Sequence, residues 1–311
     1  MEIDQLRALR AVGISGSISA AAQTLHVTTS AISQRLTKLE REVGQPLLDR
    51  YGRNARLTNA GSLLVTHAEQ ILSQLTRAEA ELKALHGLVT GTVRVSAFSS
   101  AARGLLPETL RRLHAAHPQL GVRVSEMEPD DALPLVLRGD LDVAVLQDWF
   151  NVPLQLPDTV CKVDLINDVV DLALPAGHPL AGRPVLELDE LHDEQWVSWS
   201  RGSVCHDWFL HTLRERGCEP EIVHTAGEYQ TQLALVAAGF GVALVPRVGL
   251  GAVPDGVQLV PVRPAPSRRV YAVWQVANVG HPAISVTVDV LREVAAQLTA
   301  KKGDPVGRSA G

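Results

Sequence analysis

The chain has 311 residues, 46% of them apolar and 20% charged, a composition that fits a folded globular protein and excludes a fibrous or disordered one. Its 29 Lys and Arg fall short of its 34 Asp and Glu, a formal charge of −5, so the chain as a whole carries no basic signature of nucleic-acid binding. Cys161, Cys205 and Cys218 show no paired C-x-x-C spacing, which argues against both a disulfide framework and a structural zinc site. Met1-Glu2-Ile3-Asp4-Gln5 lacks the basic and then apolar pattern of a secretory leader, and Leu233 to Pro246 is too short for a bilayer crossing of roughly 18 or more residues. A cytoplasmic protein with no membrane partner is the expectation.

Charge is distributed unevenly: residues 1–86 carry 10 basic and 8 acidic side chains, the remainder 19 and 26. Thr28 to Thr58 concentrates Arg35, Lys38, Arg41, Arg50, Arg53 and Arg56 against Glu40, Glu42 and Asp49, which suggests an anion-facing module on an acidic body.

In chain order, Ile3, Leu6, Leu9 and Val12 mark a first helix, broken by Gly13-Ile14-Ser15-Gly16. Ser17 is placed to cap a second helix whose slim face is Ala21, Ala22 and Leu25, and His26-Val27-Thr28 forms a tight turn. A third helix follows, with Ile32, Leu36, Leu39 and Val43 on its core side and Ser30, Ser33, Gln34, Thr37 and Lys38 on the other. A merely solvated face would be expected to carry Glu and Lys. Hydroxyls and an amide flanked by Arg35 and Lys38 instead suit base edges and phosphates, so Thr28, Thr29, Ser30, Ser33, Gln34, Arg35 and Lys38 are candidate DNA contacts. Leu47 to Leu57 reads as two short strands around a Gly-Arg-Asn turn, a basic wing bearing Arg50, Arg53 and Arg56.

Thr58 can cap a long helix in which Leu64, Ala68, Ile71, Leu75, Ala78, Leu82 and Leu85 repeat at alternating spacings of 4 and 3. The seam predicts a dimer; packing on the helix's own module is the alternative. Past Gly87, strands at Val93–Ser96, Val122–Glu126, Val143–Leu146, Val169–Leu174, Trp196–Ser198 and Val242–Val245 alternate with helices at Arg103–Ala116, Asp130–Arg138, Cys205–Arg216, Tyr229–Ala238 and Ile284–Leu298, an α/β body. Two lobes are expected, with crossings near Leu165 and Arg269, and Lys301 to Gly311 reads as a tail.

Ser17 to Thr28, Ser30-Ala31-Ile32-Ser33, Leu39-Glu40, Gly44-Gln45-Pro46-Leu47-Leu48, Leu57-Thr58-Asn59-Ala60-Gly61 and, beyond the heptads, Gly91-Thr92-Val93-Arg94-Val95 together resemble the LysR-type transcriptional regulators along nearly the whole chain. The resemblance implies a winged helix-turn-helix DNA-binding domain (1–58), a dimerisation linker helix (59–88) and a two-lobed effector-binding domain similar to type 2 periplasmic binding proteins (89–300). Lobe 1 would be 89–165 plus 270–300, and lobe 2 166–269. It also implies double-stranded promoter DNA as partner, a homodimer or a dimer-of-dimers tetramer, RNA polymerase as a further candidate partner, and DNA bending controlled by a small molecule in the cleft. One departure is Gln34, where the family often has Arg; Gln pairs bidentately with adenine where Arg favours guanine.

Effector contacts implied by the resemblance map to Phe98, Ser99, Ser100, Ala101, Glu126, Gln147, Asp148, Trp149, Ser200, Arg201, Gly202, Ser203 and the stretch Gly227-Glu228-Tyr229-Gln230. Ser99, Ser100 and Ser203 precede predicted helices, where free N–H groups attract an anion such as a carboxylate, although plain N-capping explains them equally. Arg201 is the candidate charge partner and Trp149 and Trp199 an apolar wall, with a solvated Arg and buried Trp as the alternatives. Gly239 to Pro246 lacks the Lys-Ser/Thr pair of a phosphate loop and reads as a helix end entering a buried strand. No nucleophile elbow, H-E-x-x-H motif or paired Cys/His spacing is present, so neither an enzyme, a metal nor a cofactor is expected. A solute-binding or enzymatic α/β protein is the contrasting class. Within the regulator reading, Cys205 at a helix start beside His206 suggests a low-pKa thiol switch as the rival to a metabolite effector.

Overall fold

The computed structural model describes residues 1–51, 54–84 and 88–302, and the chain divides into two compact units, 1–86 and 87–311.

The first unit begins with α1 (Ile3–Ser15), ended by Gly16 at φ 64°, whose N–H donates to Val12 O at 2.8 Å. The left-handed conformation is one that glycine adopts without steric cost. In α2 (Ile18–Thr24) the cap is Ser17, whose Oγ accepts from Ala20 N. The turn into α3 (Thr29–Val43) puts His26 at φ 53°, and Thr28 Oγ1 accepts from Ala31 N at 3.2 Å, one of the free donors of a helix start. Ile32, Leu36 and Leu39 are fully buried against Leu9, Val12 and Ala21 in one core. The wing is an antiparallel pair, β1 (Leu48–Tyr51) and β2 (Asn54–Leu57), in the register Leu48↔Leu57 to Tyr51↔Asn54. Glu40 fastens it to α3 by accepting from Leu47 N and Leu48 N.

The next element, α4 (Asn59–Ala84), starts at Thr58, whose Oγ1 accepts from Gly61 N at 3.0 Å. The expected heptad seam divides along this helix. Leu64 packs against the module's own core and Ala68 is fully buried, while Ile71, Ala78 and Leu82 are exposed and Leu75 is half-buried; Leu85 lies outside the described residues. The first turns of the seam are thus used intramolecularly, because α1 lies against that part of α4.

The second unit opens with β3 (Gly91–Ala97), α5 (Ser99–Ala116), β4 (Leu120–Glu126), α6 (Pro129–Arg138) and β5 (Val143–Trp149), in which β3 lies parallel to both β4 and β5. After β5 comes β6, a strand of 16 residues (Val160–Pro175). The chain then forms β7 (Leu186–Glu187), β8 (Gln195–Ser198), α7 (Val204–Arg214), β9 (Glu221–Thr225), α8 (Tyr229–Ala237), β10 (Ala243–Pro246), β11 (Val257–Arg263), β12 (Ser267–Gln275) and α9 (Pro282–Lys302). The main sheet runs β4-β3-β5-β12-β6-β11-β7, with β10 also paired to β6. Over residues 160–169 β6 pairs with β12, and over 170–175 with β10 and β11, so one strand serves both lobes. The first lobe has one core under α5 and α9 and a second under α6; the other lobe has its own, built around Trp196, Trp208, Phe209 and Leu233. β7, β9, β11 and β12 are strands that the sequence pattern did not flag.

Candidate functional site

On the first unit, Thr28, Thr29, Ser30, Gln34 and Lys38 are exposed and Ser33 and Arg35 half-buried, opposite the buried Ile32, Leu36 and Leu39. The Thr28 hydroxyl is already engaged as the cap of α3, whereas Thr29 and Ser30 open its first turn. Two cations of this helix are not bare. Arg35 pairs with Asp4 at 3.0 Å and Lys38 with Glu2 at 2.5 Å, and the hydrogen bond to Glu2 holds the Lys38 pKa above its ordinary value. Arg56 stands exposed on β2 and Arg50 lies on β1; Arg53 is outside the described residues.

In the second unit the expected cleft residues meet around a group that sequence reasoning missed. Arg268, on β12, is completely buried. Its Nε donates to Asp168 Oδ2 at 2.9 Å, Nη1 to Gln147 Oε1 at 2.5 Å and Nη2 to Ser100 Oγ at 2.9 Å. Asp168 also accepts from Val248 N at 2.9 Å, so the acid ties β6 to β12 and to the chain leaving β10. The guanidinium lies 5.0 Å from the Phe98 ring centre and 5.8 Å from that of Tyr229. Trp199 meets Tyr229 edge-on at 5.3 Å and Trp208 at 6.0 Å, and Trp208 stacks on Trp149 with centroids 3.5 Å apart. Gln147 Nε2 reaches Cys205 Sγ at 3.6 Å and closes the ring of contacts.

Within this ring the buried Tyr229 hydroxyl has no hydrogen-bond partner among the described residues; the buried Ser198 hydroxyl, at the end of β8, has none either. An unmet buried hydroxyl costs about 1–3 kcal/mol, so such groups mark a place where a partner is expected. Burial raises the Tyr229 pKa well above its ordinary value, which keeps its O–H as a donor. The Glu128 carboxyl is also raised, chiefly by desolvation, with the positive charge of Arg268 working in the opposite direction.

Several expected roles change. Ser203 is a plain N-cap, accepting from His206 N at 3.2 Å, and Ser100 is spent on Arg268. Ser99 and Ser100 form the first turn of α5 rather than preceding it, and Phe98 is its N-cap. Ala101 is buried in the first lobe's core, Asp148 pairs with Arg269 at 2.8 Å, and Glu126 is exposed at the end of β4. Ser200, Arg201 and Gly202 form an exposed turn, and Arg201 has no ion pair among the described residues; the buried cation is Arg268. Trp149 and Trp199 are both buried. Gly239 at φ 82° leads from α8 into buried β10, as the pattern predicted.

Cys205 reverses its expectation. Burial pushes its thiol up to about 12, and the nearby Glu128 charge pushes the same way. The helix start and His206 do not produce a thiolate, because His206 is itself buried with Nδ1 2.9 Å from Trp199 O.

A winged helix-turn-helix joined to a two-lobed α/β unit with a polar cluster between its lobes defines a ligand-responsive DNA-binding regulator. Family comparison agrees: residues 3–62 match the bacterial regulatory helix-turn-helix of the lysR family, and residues 86–296 match the LysR substrate binding domain. The chain belongs to the LysR family of transcriptional regulators and carries that family's effector-binding domain. Among its relatives, the HTH-type transcriptional regulator TtuA of Agrobacterium vitis is 30% identical over 84% of this chain and 86% of its own. The HTH-type transcriptional activator IlvY of Salmonella typhimurium is 28% identical over 83% of this chain and 86% of its own. A full-length OxyR variant from Pseudomonas aeruginosa shares the fold at a TM-score of 0.70 and 23% identity, covering 94% of this chain and 98% of that one.

Proposed function

We propose that the exposed side of α3 and the wing read promoter DNA, and that a small-molecule effector bound between the lobes of the second unit controls that binding or the bend it imposes. Thr29, Ser30, Ser33 and Gln34 reach base edges in the major groove, and Arg35, Lys38, Arg50, Arg53 and Arg56 meet phosphates or the minor groove. The protein acts as a regulator and not as an enzyme, in the cytoplasm. The exposed part of the α4 seam pairs two copies, a second interface makes a dimer of dimers, and RNA polymerase is the partner at the promoter. The division into 1–58, 59–88 and 89–300 follows the same reading.

The observation that carries the effector reading is the buried Arg268–Asp168 pair beside Tyr229, whose buried hydroxyl has no partner among the described residues, inside an aromatic ring of contacts. Because Asp168 already matches the Arg268 charge, an effector gains a directional bond from the Tyr229 hydroxyl, and a carboxylate would be met by the first-turn N–H groups of α5. The test is a thermal-shift screen of purified protein against amino acids, aromatic and aliphatic acids, purines and sugar phosphates; a ligand at 100 times its Kd stabilises by about 2.7 kcal/mol. A saturable shift that Tyr229→Phe reduces supports the cleft. A shift untouched by Tyr229→Phe places the ligand elsewhere. The redox alternative gains nothing from the geometry around Cys205.

A further inference from the structure

The recognition helix carries its two central cations already paired with acids, and those acids come from one place, the start of α1. Lys38 Nζ lies 2.5 Å from Glu2 Oε1 and Arg35 Nη2 3.0 Å from Asp4 Oδ2, bonds that span 36 and 31 residues of sequence. All four side chains retain solvent access, between 32% and 63% exposed, so these pairs are not part of the core that folds the module. Glu2 also has its own local anchorage. Its backbone N–H donates to Gln5 Oε1 at 2.6 Å, and Gln5 is buried, which fixes the start of α1 beside α3.

A positive helix start favours acids for its own sake, so Glu2 and Asp4 have a structural reason to stand there. What that reason does not require is that both close onto the DNA-facing cations of another helix. We infer that Glu2 and Asp4 are electrostatic competitors of the phosphate backbone: they occupy Lys38 and Arg35 in the free protein and must yield them when DNA is bound. This rests on the proposal that the exposed side of α3 faces DNA. The exchange weakens binding to every sequence alike, because phosphate contacts carry no sequence information, and so leaves selection to Thr29, Ser30, Ser33 and Gln34. Glu2 and Asp4 in this sense set how tightly the module holds DNA of any sequence, without touching a base.

The experiment is fluorescence anisotropy of the full chain with a labelled duplex of arbitrary sequence over a range of KCl concentrations, comparing wild type, E2Q/D4N, R35A/K38A and the quadruple variant. E2Q and D4N keep side-chain size, and a circular-dichroism melt checks the fold. E2Q/D4N binds the duplex about three- to tenfold more tightly, in keeping with two exposed pairs, while its log–log salt slope stays near that of wild type, because Lys38 and Arg35 meet phosphate in both complexes. The gain vanishes in the quadruple variant, since there is no cation left to release. Two results overturn the inference: unchanged or weaker binding by E2Q/D4N, or an equal gain in the R35A/K38A background. If R35A/K38A itself binds as well as wild type, the failure lies with the assignment of α3 to the DNA side.

Discussion

Asp168→Asn is the substitution that tests the cleft's construction most directly. Arg268 and Asp168 are 0% and 2% exposed, with N···O separations of 2.8 and 2.9 Å. Asn keeps the shape, but its single carbonyl oxygen can serve Val248 N–H or Arg268 and not both, so the charge and one acceptor are removed together. Leaving one member of a buried pair unmatched costs about 3–5 kcal/mol. For a unit of some two hundred residues each kcal/mol moves the midpoint by about 2–4 °C, so the expected fall is roughly 6–20 °C. Differential scanning calorimetry of the full chain, following the transition of the second unit, reads the shift. Pairing Asp168→Leu with Arg268→Met removes both charges and recovers much of that loss, because a buried pair contributes little net stability over an apolar replacement of similar volume. A drop below about 3 °C for D168N, or a double variant no more stable than D168N, refutes the view that the Arg268 charge is held by Asp168.

Other outcomes follow from the same structure. In a Cys161→Ser/Cys218→Ser background the native protein resists thiol alkylation at pH 8, since a thiol held near 12 is ionised roughly a thousandfold less than a free one; rapid native labelling contradicts the burial. The folded state keeps this proton to about 12 while the unfolded chain releases it near 8.5–9, so stability falls by about 1.4 kcal/mol per pH unit between those values. Cys205→Ala flattens that alkaline slope in denaturant titrations, and a slope identical to wild type rejects the assignment. Gly249→Ala places a Cβ 1.7 Å from Ser100 O on a backbone at φ +63°, so expression in soluble form is largely lost, and a normal melting curve counts against the close approach of these segments. Once an operator is known, Gln34→Ala costs about 1–3 kcal/mol at one base pair and relaxes preference there, while a uniform loss across sequences assigns Gln34 to phosphate instead.

The DNA-binding module was readable because each of its helices announces itself locally, by caps at Ser17 and Thr28, a stop at Gly44 and core positions at helical spacing. The long-range features were not. Arg268 and Asp168 are 100 residues apart, and an arginine at the head of a strand looks like a surface charge until its partner is placed. Two features hid the strands that frame the cleft: β12 opens on Ser267-Arg268-Arg269, and β11 contains Pro261. Burial is a collective property, which is why the position of Cys205 suggested a low pKa and its surroundings impose a high one. The α4 seam illustrates the same limit. Its period is uniform, yet what covers Leu64 and Ala68 is the helix's own module, and Ile71 and Leu82 are left bare.

The shared strand β6 has a mechanical consequence. Its first ten residues are laced to β12 and its last six to β10 and β11, and Val170 N, at the changeover, donates to Pro266 O at 3.0 Å. A joint made of continuous paired strand is a leaf spring rather than a loose hinge. Any movement of one lobe against the other flexes a hydrogen-bonded ladder and is resisted throughout its travel.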